Sequence, residues 1–315
     1  MIRTLLVVSA AALALMPAMV IAEPWSYTDS LGNTVTLDNV PTRIIASQDA
    51  AAGLIPLGIR PVGIYADSPV EDAKALEGLD LTGIQIIGQT WGEVDIEKAA
   101  ALNPELIIAE YWPLDTTWSG GTSVVDALTP LAPITGPTNG DSILKLVEDY
   151  EVIAASLGAD LSNPTIAENK AGFETSLAAF KAATAAKPNL TVLALWAGTD
   201  SLSIAATEAS AELLDFRSWG LNIIDPAIAE DRGYWETLSW ENADKYQPDL
   251  IIVDNRSPST MQIAVAQPTW TLMKAAAAGA VTDWPAYWIR NYAAYSGALD
   301  KLTTAINAAD ENLTE

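Results

Sequence analysis

Two stretches of this sequence copy each other at a fixed distance, and no other feature restricts the fold as much. The first is Glu97-Lys98-Ala99-Ala100-Ala101-Leu102-Asn103-Pro104-Glu105-Leu106-Ile107-Ile108. The second is Glu241-Asn242-Ala243-Asp244-Lys245-Tyr246-Gln247-Pro248-Asp249-Leu250-Ile251-Ile252. Each reads as a helix opened by Glu, ended by Pro seven residues later, then an acid and a Leu-Ile-Ile strand. Glu in a first turn complements the helix dipole, Pro cannot continue the helix, and the apolar triplet suits a buried strand. One αβ unit produces such a pattern alone. Its recurrence at an offset of 144 residues points to two related lobes. Open α/β sheets bind ligands beyond the carboxyl ends of their strands, so two such lobes face to face enclose a cleft.

The rest of the chain agrees. Short apolar runs at Arg43–Ala46, Val62–Tyr65, Ile84–Ile87, Leu106–Ala109, Val192–Trp196, Leu202–Ala205, Ile223–Ile224 and Leu250–Val253 read as strands. Segments at helical spacing lie between them, among them Asp95–Leu102 and Ser142–Leu157. Continuously apolar strands alternating with helices predict an α/β fold with mainly parallel sheets covered on both faces. Pro164–Lys187 holds one Gly, no interior Pro and the apolar residues Ile166, Phe173, Leu177 and Phe180. As a helix its 24 positions span roughly 36 Å, a domain diameter, and it reads as a strut joining two small lobes. The alternative is a surface helix on one large sheet. The expected division is 23–140 for the first lobe, 141–188 for a helical connection and 189–315 for the second lobe.

Composition removes much chemistry. The 315 residues include no His and no Cys. A Ser-His-Asp triad, a histidine ligand, a disulfide and a thiolate metal site are all ruled out. A formal charge of −24 argues against nucleic acid, whose phosphates need clustered Lys and Arg. The first 22 residues read as an export signal: Arg3, an apolar run from Leu5 to Leu15, and a small-residue cleavage site ending at Ala22. A membrane anchor is the weaker alternative because Pro17 interrupts the run. Without Cys there is no lipid anchor, so a protein free in the periplasm is expected; a monomer is expected too.

The mature chain opens with Asp29-Ser30-Leu31-Gly32-Asn33-Thr34-Val35, then Pro41-Thr42-Arg43-Ile44-Ile45, and goes on to the duplicated Glu-Pro-acid pattern. It closes with Pro268-Thr269-Trp270, Ala278-Gly279-Ala280-Val281 and a last helix near Tyr295–Ile306. These motifs, in this order, resemble the substrate-binding proteins of iron-siderophore and cobalamin ABC importers. The resemblance implies two α/β lobes joined by one long helix, with little hinge motion. It also implies that one glutamate at each lobe tip, here Glu97 and Glu241, docks onto arginines of the membrane permease.

The aromatic residues suggest what the cleft holds. The chain has 11 Trp and 9 Tyr against 3 Phe, a bias toward rings with a polar handle. Trp91, Tyr111, Trp112 and Trp118 fall near strand ends of the first lobe; Trp196, Trp235, Trp284, Tyr287 and Trp288 do so in the second. Trp25, Trp219, Trp240 and Trp270 are assigned to packing. Arg256 follows the strand ending at Asp254, and Arg290 neighbours Trp288, where guanidinium suits carboxylate or hydroxamate oxygens. Arg217 and Arg232 read as surface ion pairs. A bulky chelate is expected, with cobalamin the alternative ligand.

An anionic tris-catecholate would need basic groups from both lobes, so a hydroxamate or carboxylate siderophore is favoured. No cofactor and no protein metal site are expected; iron arrives already chelated. The competing class is a secreted glycoside hydrolase using paired carboxylates from Asp49, Glu93, Glu110 and Asp254, with tryptophans stacking on sugars. The duplication, the strut and a length short for an eight-unit barrel weigh against it.

Overall fold

The computed structural model describes residues 24–228 and 233–313. The expected export segment ending at Ala22, and Arg232, lie outside the described residues. The chain opens with an antiparallel hairpin of β1 (Trp25–Thr28) and β2 (Thr34–Leu37). Asp29 closes its turn by accepting the N–H groups of Leu31 and Asn33 at 3.0 and 2.8 Å.

The first lobe is a parallel sheet. It uses β3 (Ile44–Ser47), β4 (Gly63–Ala66), β5 (Gln85–Gln89) and β6 (Leu106–Ile108). A small hairpin of β7 (Tyr111–Trp112) and β8 (Thr117–Trp118) leads on to β9 (Ile134–Thr135). The order is β5-β4-β3-β6-β9, and every pairing is parallel. Helices α1 (Gln48–Leu54), α2 (Ile96–Ala101) and α3 (Gly121–Leu128) serve this lobe.

Two helices connect the lobes, α4 (Ile143–Ser156) and α5 (Pro164–Ala186). Asn163 caps α5 by accepting the Thr165 N–H at 3.0 Å, and Pro164 stands at its first position. The second lobe follows with β10 (Thr191–Ala197), β11 (Ser201–Ala205), α6 (Ala211–Ser218), β12 (Asn222–Ile223) and β13 (Trp235–Ser239). It ends with β14 (Leu250–Asp254), α7 (Ser259–Ala266), α8 (Lys274–Ala277), β15 (Val281–Trp284) and α9 (Tyr292–Ala308). Its sheet runs β13-β11-β10-β14-β15, with β12 also on β10. Here β11 and β13 are antiparallel, so this sheet is mixed while the first is purely parallel. The architecture is the expected α/β one, with one long helix between the sheets.

Strand alternation divides the core. In the first sheet Ile45 and Ile107 face one apolar cluster, while Ile44, Leu106 and Ile108 face another. In the second, Leu193, Leu195 and Ile251 face an outer cluster, while Val192, Leu250 and Ile252 face inward. The two inward faces belong to one continuous cluster that runs through the helices between them. The long helix does not stand free. Phe173 meets Tyr295 of α9 and Phe180 meets Phe216 of α6, at ring separations of 5.1 and 5.7 Å, and Ser176 bonds Ser296 at 2.7 Å.

The duplicated segments keep one physical device and lose another. Glu105 accepts the N–H groups of Thr42 and Arg43 at 2.8 and 3.0 Å, fixing the approach to β3. Asp249 accepts the Thr191 N–H and hydroxyl at 2.9 and 2.7 Å, fixing the start of β10. In both lobes the acid before Leu-Ile-Ile pins the neighbouring strand. The helices differ. Residues 96–101 form an α-helix capped by Asp95, whereas Trp240–Lys245 is a 3-10 stretch broken at Asn242. The second helix expected from the repeat is therefore corrected to a short, irregular turn.

Candidate functional site

The first lobe builds its wall at three strand ends. Ser47 ends β3 and caps α1 by accepting the Ala50 N–H at 3.1 Å, which sets Gln48 and Asp49 at the lip. Asp67 follows β4, and the Gln48 side chain bonds it twice: its amide donates to the carboxylate, and its oxygen accepts the Asp67 N–H, both at 3.2 Å. Beyond β6 the small hairpin presents Trp112 and Trp118. Tyr111 packs edge-on against Trp118 at 5.3 Å, and the Trp112 indole donates to Ser119 at 3.1 Å.

The second lobe answers with an aromatic stack. Trp235 opens β13, and Tyr287 follows β15 with a left-handed backbone (φ 60). Such a φ is strained for a bulky residue; the Tyr287 N–H is held by the buried Glu212 at 2.9 Å. Tyr287 packs on Tyr234, Trp235 and Trp284 at 6.2, 6.3 and 5.7 Å. Arg256 lies over the Tyr287 ring at 4.8 Å and forks onto Asp254 at 2.6 and 3.0 Å.

Between the walls is a cavity of about 280 Å³. The first lobe lines it with Gln48, Asp49, Asp67, Trp91, Trp112 and Trp118, joined by Asp115, Thr117 and Ser119. Tyr234, Trp235, Arg256 and Tyr287 line the other side. Its electrostatics are lopsided. Burial, reinforced by the Asp49 charge, pushes the Asp67 carboxyl up to about 7. Burial also raises Asp49, outweighing the pull of Arg290. The acids stand on one wall and the exposed guanidinium on the other. Among the described residues no group of three or more His, Cys, Asp or Glu is placed to hold a metal ion.

The expected contact residues divide accordingly. Trp91, Trp112, Trp118, Trp235, Arg256 and Tyr287 converge on the cavity. Tyr111 stands behind Trp118. Trp196 is 37 % exposed at the end of β10 and outside the cavity lining. Trp288 faces a neighbouring groove, its indole bonded to Asn255 at 2.7 Å. Two expectations are corrected. Trp284 and Arg290 have no exposed surface, because the aromatic stack closes over Trp284 and first-lobe acids close over Arg290; neither can touch a ligand in this structure.

Glu97 and Glu241 are exposed. Trp25, Trp240 and Trp270 are buried, as packing roles require. Arg217 pairs with Asp225 and Glu208. Sequence reasoning missed Gln48, Asp67 and Asp115 as cavity residues. For the first two the signal was available, since both directly follow parallel strands. The acids of the hydrolase alternative are unsuited to it. Glu110 and Asp49 are buried around Arg290, Asp254 is buried under Arg256, and Glu93 is exposed and outside the cavity lining.

A family model described as periplasmic binding protein matches residues 86–288. The chain is 32 % identical to the ferric-siderophore receptor protein DesE of Streptomyces coelicolor, with a TM-score of 0.83, over 91 % of this chain and 99 % of that one. It shares its fold with the siderophore periplasmic binding protein from the fuscachelin gene cluster of Thermobifida fusca (20 % identity, TM-score 0.63, 84 % and 96 % covered). It likewise shares it with FhuD2 of Staphylococcus aureus, solved with bound ferrioxamine B (20 %, 0.60, 84 % and 98 %). A comparison with curated proteins finds no match.

Proposed function

The chain belongs to the periplasmic binding protein family, and on that premise we propose that it captures a ferric siderophore between its lobes and delivers it to an ABC importer. One observation carries the reading: six aromatic side chains and one guanidinium converge on a single interlobe cavity. Rings of Trp and Tyr suit a bulky ligand that is partly apolar and partly hydrogen-bonding. Arg256 offers a planar fork to hydroxamate or carboxylate oxygens. The acidic opposite wall disfavours a strongly anionic tris-catecholate. With no imidazole and no thiolate in the chain, the iron ligands come from the chelator. The protein supplies shape, rings and one cation, and it works as a binding protein in the periplasm.

Intrinsic tryptophan fluorescence tests this. Titration with ferric hydroxamate, carboxylate and catecholate siderophores and with cobalamin is expected to quench most strongly with a hydroxamate or carboxylate complex. Silence across the panel would sink the ligand assignment. A response to cobalamin alone would replace it with the other ligand.

A further inference from the structure

A charged cluster lies behind the cavity wall and reaches its lining only through Asp49 and Trp112. Arg290 belongs to the second lobe and is wholly buried. Its guanidinium nevertheless crosses to the first lobe. Nε donates to Glu110, Nη2 stands 3.8 Å from Asp49 Oδ1, and the guanidinium carbon lies 5.9 Å from the centre of the Trp112 ring. Nη1 donates to the Ile289 carbonyl at 2.8 Å. Tyr150 of α4 donates to Glu110 Oε1 at 2.7 Å, its ring lying against Gly53, where a Cβ would sit 2.5 Å from it. The adjacent residue crosses too, with the Asn291 amide donating to the Ala52 carbonyl at 3.2 Å. Asp49 and Trp112 both line the cavity, and the Ser119 hydroxyl links them at 3.3 and 3.1 Å.

We propose that Arg290 is the positioning residue of the cleft: by binding Glu110 and facing Asp49 and Trp112 across the lobe boundary, it fixes the spacing of the two walls and the pose of Trp112. The proposal rests on the reading of this cavity as the ligand site. A buried guanidinium held by one lobe and neutralised by the other resists separation, because parting the lobes leaves an unpaired charge out of water.

The charge count adds a consequence. Two carboxylates face one guanidinium, so the ionised cluster carries a surplus negative charge. Burial pushes Glu110 up to about 7 against the pull of Arg290, and Asp49 is raised as well. Glu110 is faced by Arg290, Asp49 and the Tyr150 hydroxyl, with Tyr65 of β4 nearby. Asp67 and Arg256 act on the same acids through Asp49, and Glu212 of α6 feels Arg290. Below neutrality one proton balances the cluster. Above it the surplus charge returns, directly behind Trp112.

Fluorine NMR of the protein labelled with 5-fluorotryptophan tests this without a ligand, the Trp112 line being identified by its absence in Trp112→Phe. All variants carry Asp67→Asn, which removes the other cavity carboxyl pushed up to about 7, and in that background the Trp112 line is expected to titrate with a midpoint of about 7. In Arg290→Met it shifts, broadens and stops titrating while the lines of buried Trp25 and Trp270 stay in place; Arg290→Lys restores part of the wild-type behaviour. Affinity for ferrioxamine B falls on the order of tenfold in Arg290→Met. An unchanged Trp112 line and titration in Arg290→Met overturns the proposal, whether or not any siderophore binds. A disturbed Trp112 line in a protein that binds no siderophore overturns the ligand reading alone. Where Arg290→Met fails to fold, Glu110→Gln, which keeps shape and an acceptor oxygen, decides: loss of the titration supports the proposal and its persistence overturns it.

Discussion

The two lobes share a frame and differ in what they mount on it. Each has a Leu-Ile-Ile strand, and each uses the preceding acid to pin its neighbour, Glu105 on the approach to β3 and Asp249 on β10. Beyond the strand ends they diverge. The first lobe keeps a purely parallel sheet and places Gln48, Asp49 and Asp67 at its strand ends, with indoles supplied by the β7–β8 hairpin. The second lobe adds β11, antiparallel to its neighbours, and beyond it β13, which brings Tyr234 and Trp235 to the cavity, backed by buried Trp284. The duplicated strands set where a cleft can form. The loops around them decide that one wall sets acids among its rings and the other a cation.

The strongest test of that difference is Trp284→Ala. Trp284 is fully buried and props up Trp235 and Tyr287 at 5.8 and 5.7 Å. Its removal is expected to cost about 3–5 kcal/mol in denaturant unfolding and to weaken ligand binding through the two unsupported rings. Trp112 of the first wall is only half-buried and meets the stack at its edge, 6.0 Å from Tyr287, so Trp112→Ala is expected to cost less than half as much while reducing affinity comparably. Equal losses of stability would mean that both walls are built alike.

Next comes the shared device. Asp249 is 2 % exposed and accepts two bonds from Thr191. Asp249→Ala is expected to destabilise by about 2–3 kcal/mol, the worth of charge-assisted bonds to a buried acceptor. Glu105 is more open, paired with Arg43 at 2.9 Å at the surface, so Glu105→Ala is expected to cost at most about 1 kcal/mol. The reverse order of the two melting shifts would show that the first lobe, not the second, depends on its pin.

These contrasts also mark what the sequence could reveal. Leu106–Ile108 and Leu250–Val253 are legible as strands because a strand buried on both faces must be apolar at every position. Helix α5 is legible because Pro164–Lys187 runs without an interior Pro and carries Ile166, Phe173, Leu177 and Phe180. Trp91, Trp112 and Tyr287 reach the cavity by the strand-end rule. Trp284 and Arg290 obey that rule in sequence and break it in space, since Trp284 is covered by the rings of its own lobe and Arg290 by Glu110 and Asp49 of the opposite one. Asp115 was hidden for a related reason: it sits between two-residue strands, whose pairing is a tertiary outcome with no periodicity of its own.

Acidity should also separate the walls. The Asp67 carboxyl, raised by burial to about 7 from an ordinary value near 3.8, binds its proton more tightly in the folded chain. That contribution to stability is complete below the ordinary carboxylate range and is lost as pH rises through 7. Unliganded protein is therefore expected to melt lower at pH 8.5 than at pH 5.5, by the equivalent of about 1–2 kcal/mol. Asp67→Asn should flatten much of that slope, leaving the share that Glu110 contributes in the same direction. Arg256→Lys on the facing wall stays charged throughout, so it should leave the slope intact while lowering siderophore affinity on the order of tenfold through loss of its planar fork. A pH slope that vanishes in Arg256→Lys but persists in Asp67→Asn would assign the titration to the wrong wall.

The smallest effect on the isolated protein is expected where the lobes are most alike in sequence. Glu97 and Glu241 open the two copies of the repeat and are both exposed. Asp95 already caps α2 by accepting the Lys98 N–H at 3.0 Å, so Glu97 is not needed to start that helix. Glu241 sits in a 3-10 turn with little dipole to complement. Local contacts of Glu241, with its own N–H and the Ser239 side chain, are confined to the exposed turn. With both replaced by Ala, Tm is expected to stay within about 2 °C and ligand affinity within a factor of about 2. Uptake of an iron-loaded siderophore, in cells whose only copy carries both changes, is expected to collapse, because exposed carboxylates on the two lobes can meet permease guanidiniums together. Single replacements test whether the α-helical and the irregular copy are equivalent: equal losses of uptake fit one docking contact per lobe, whereas unimpaired uptake in the double variant removes the docking role from both.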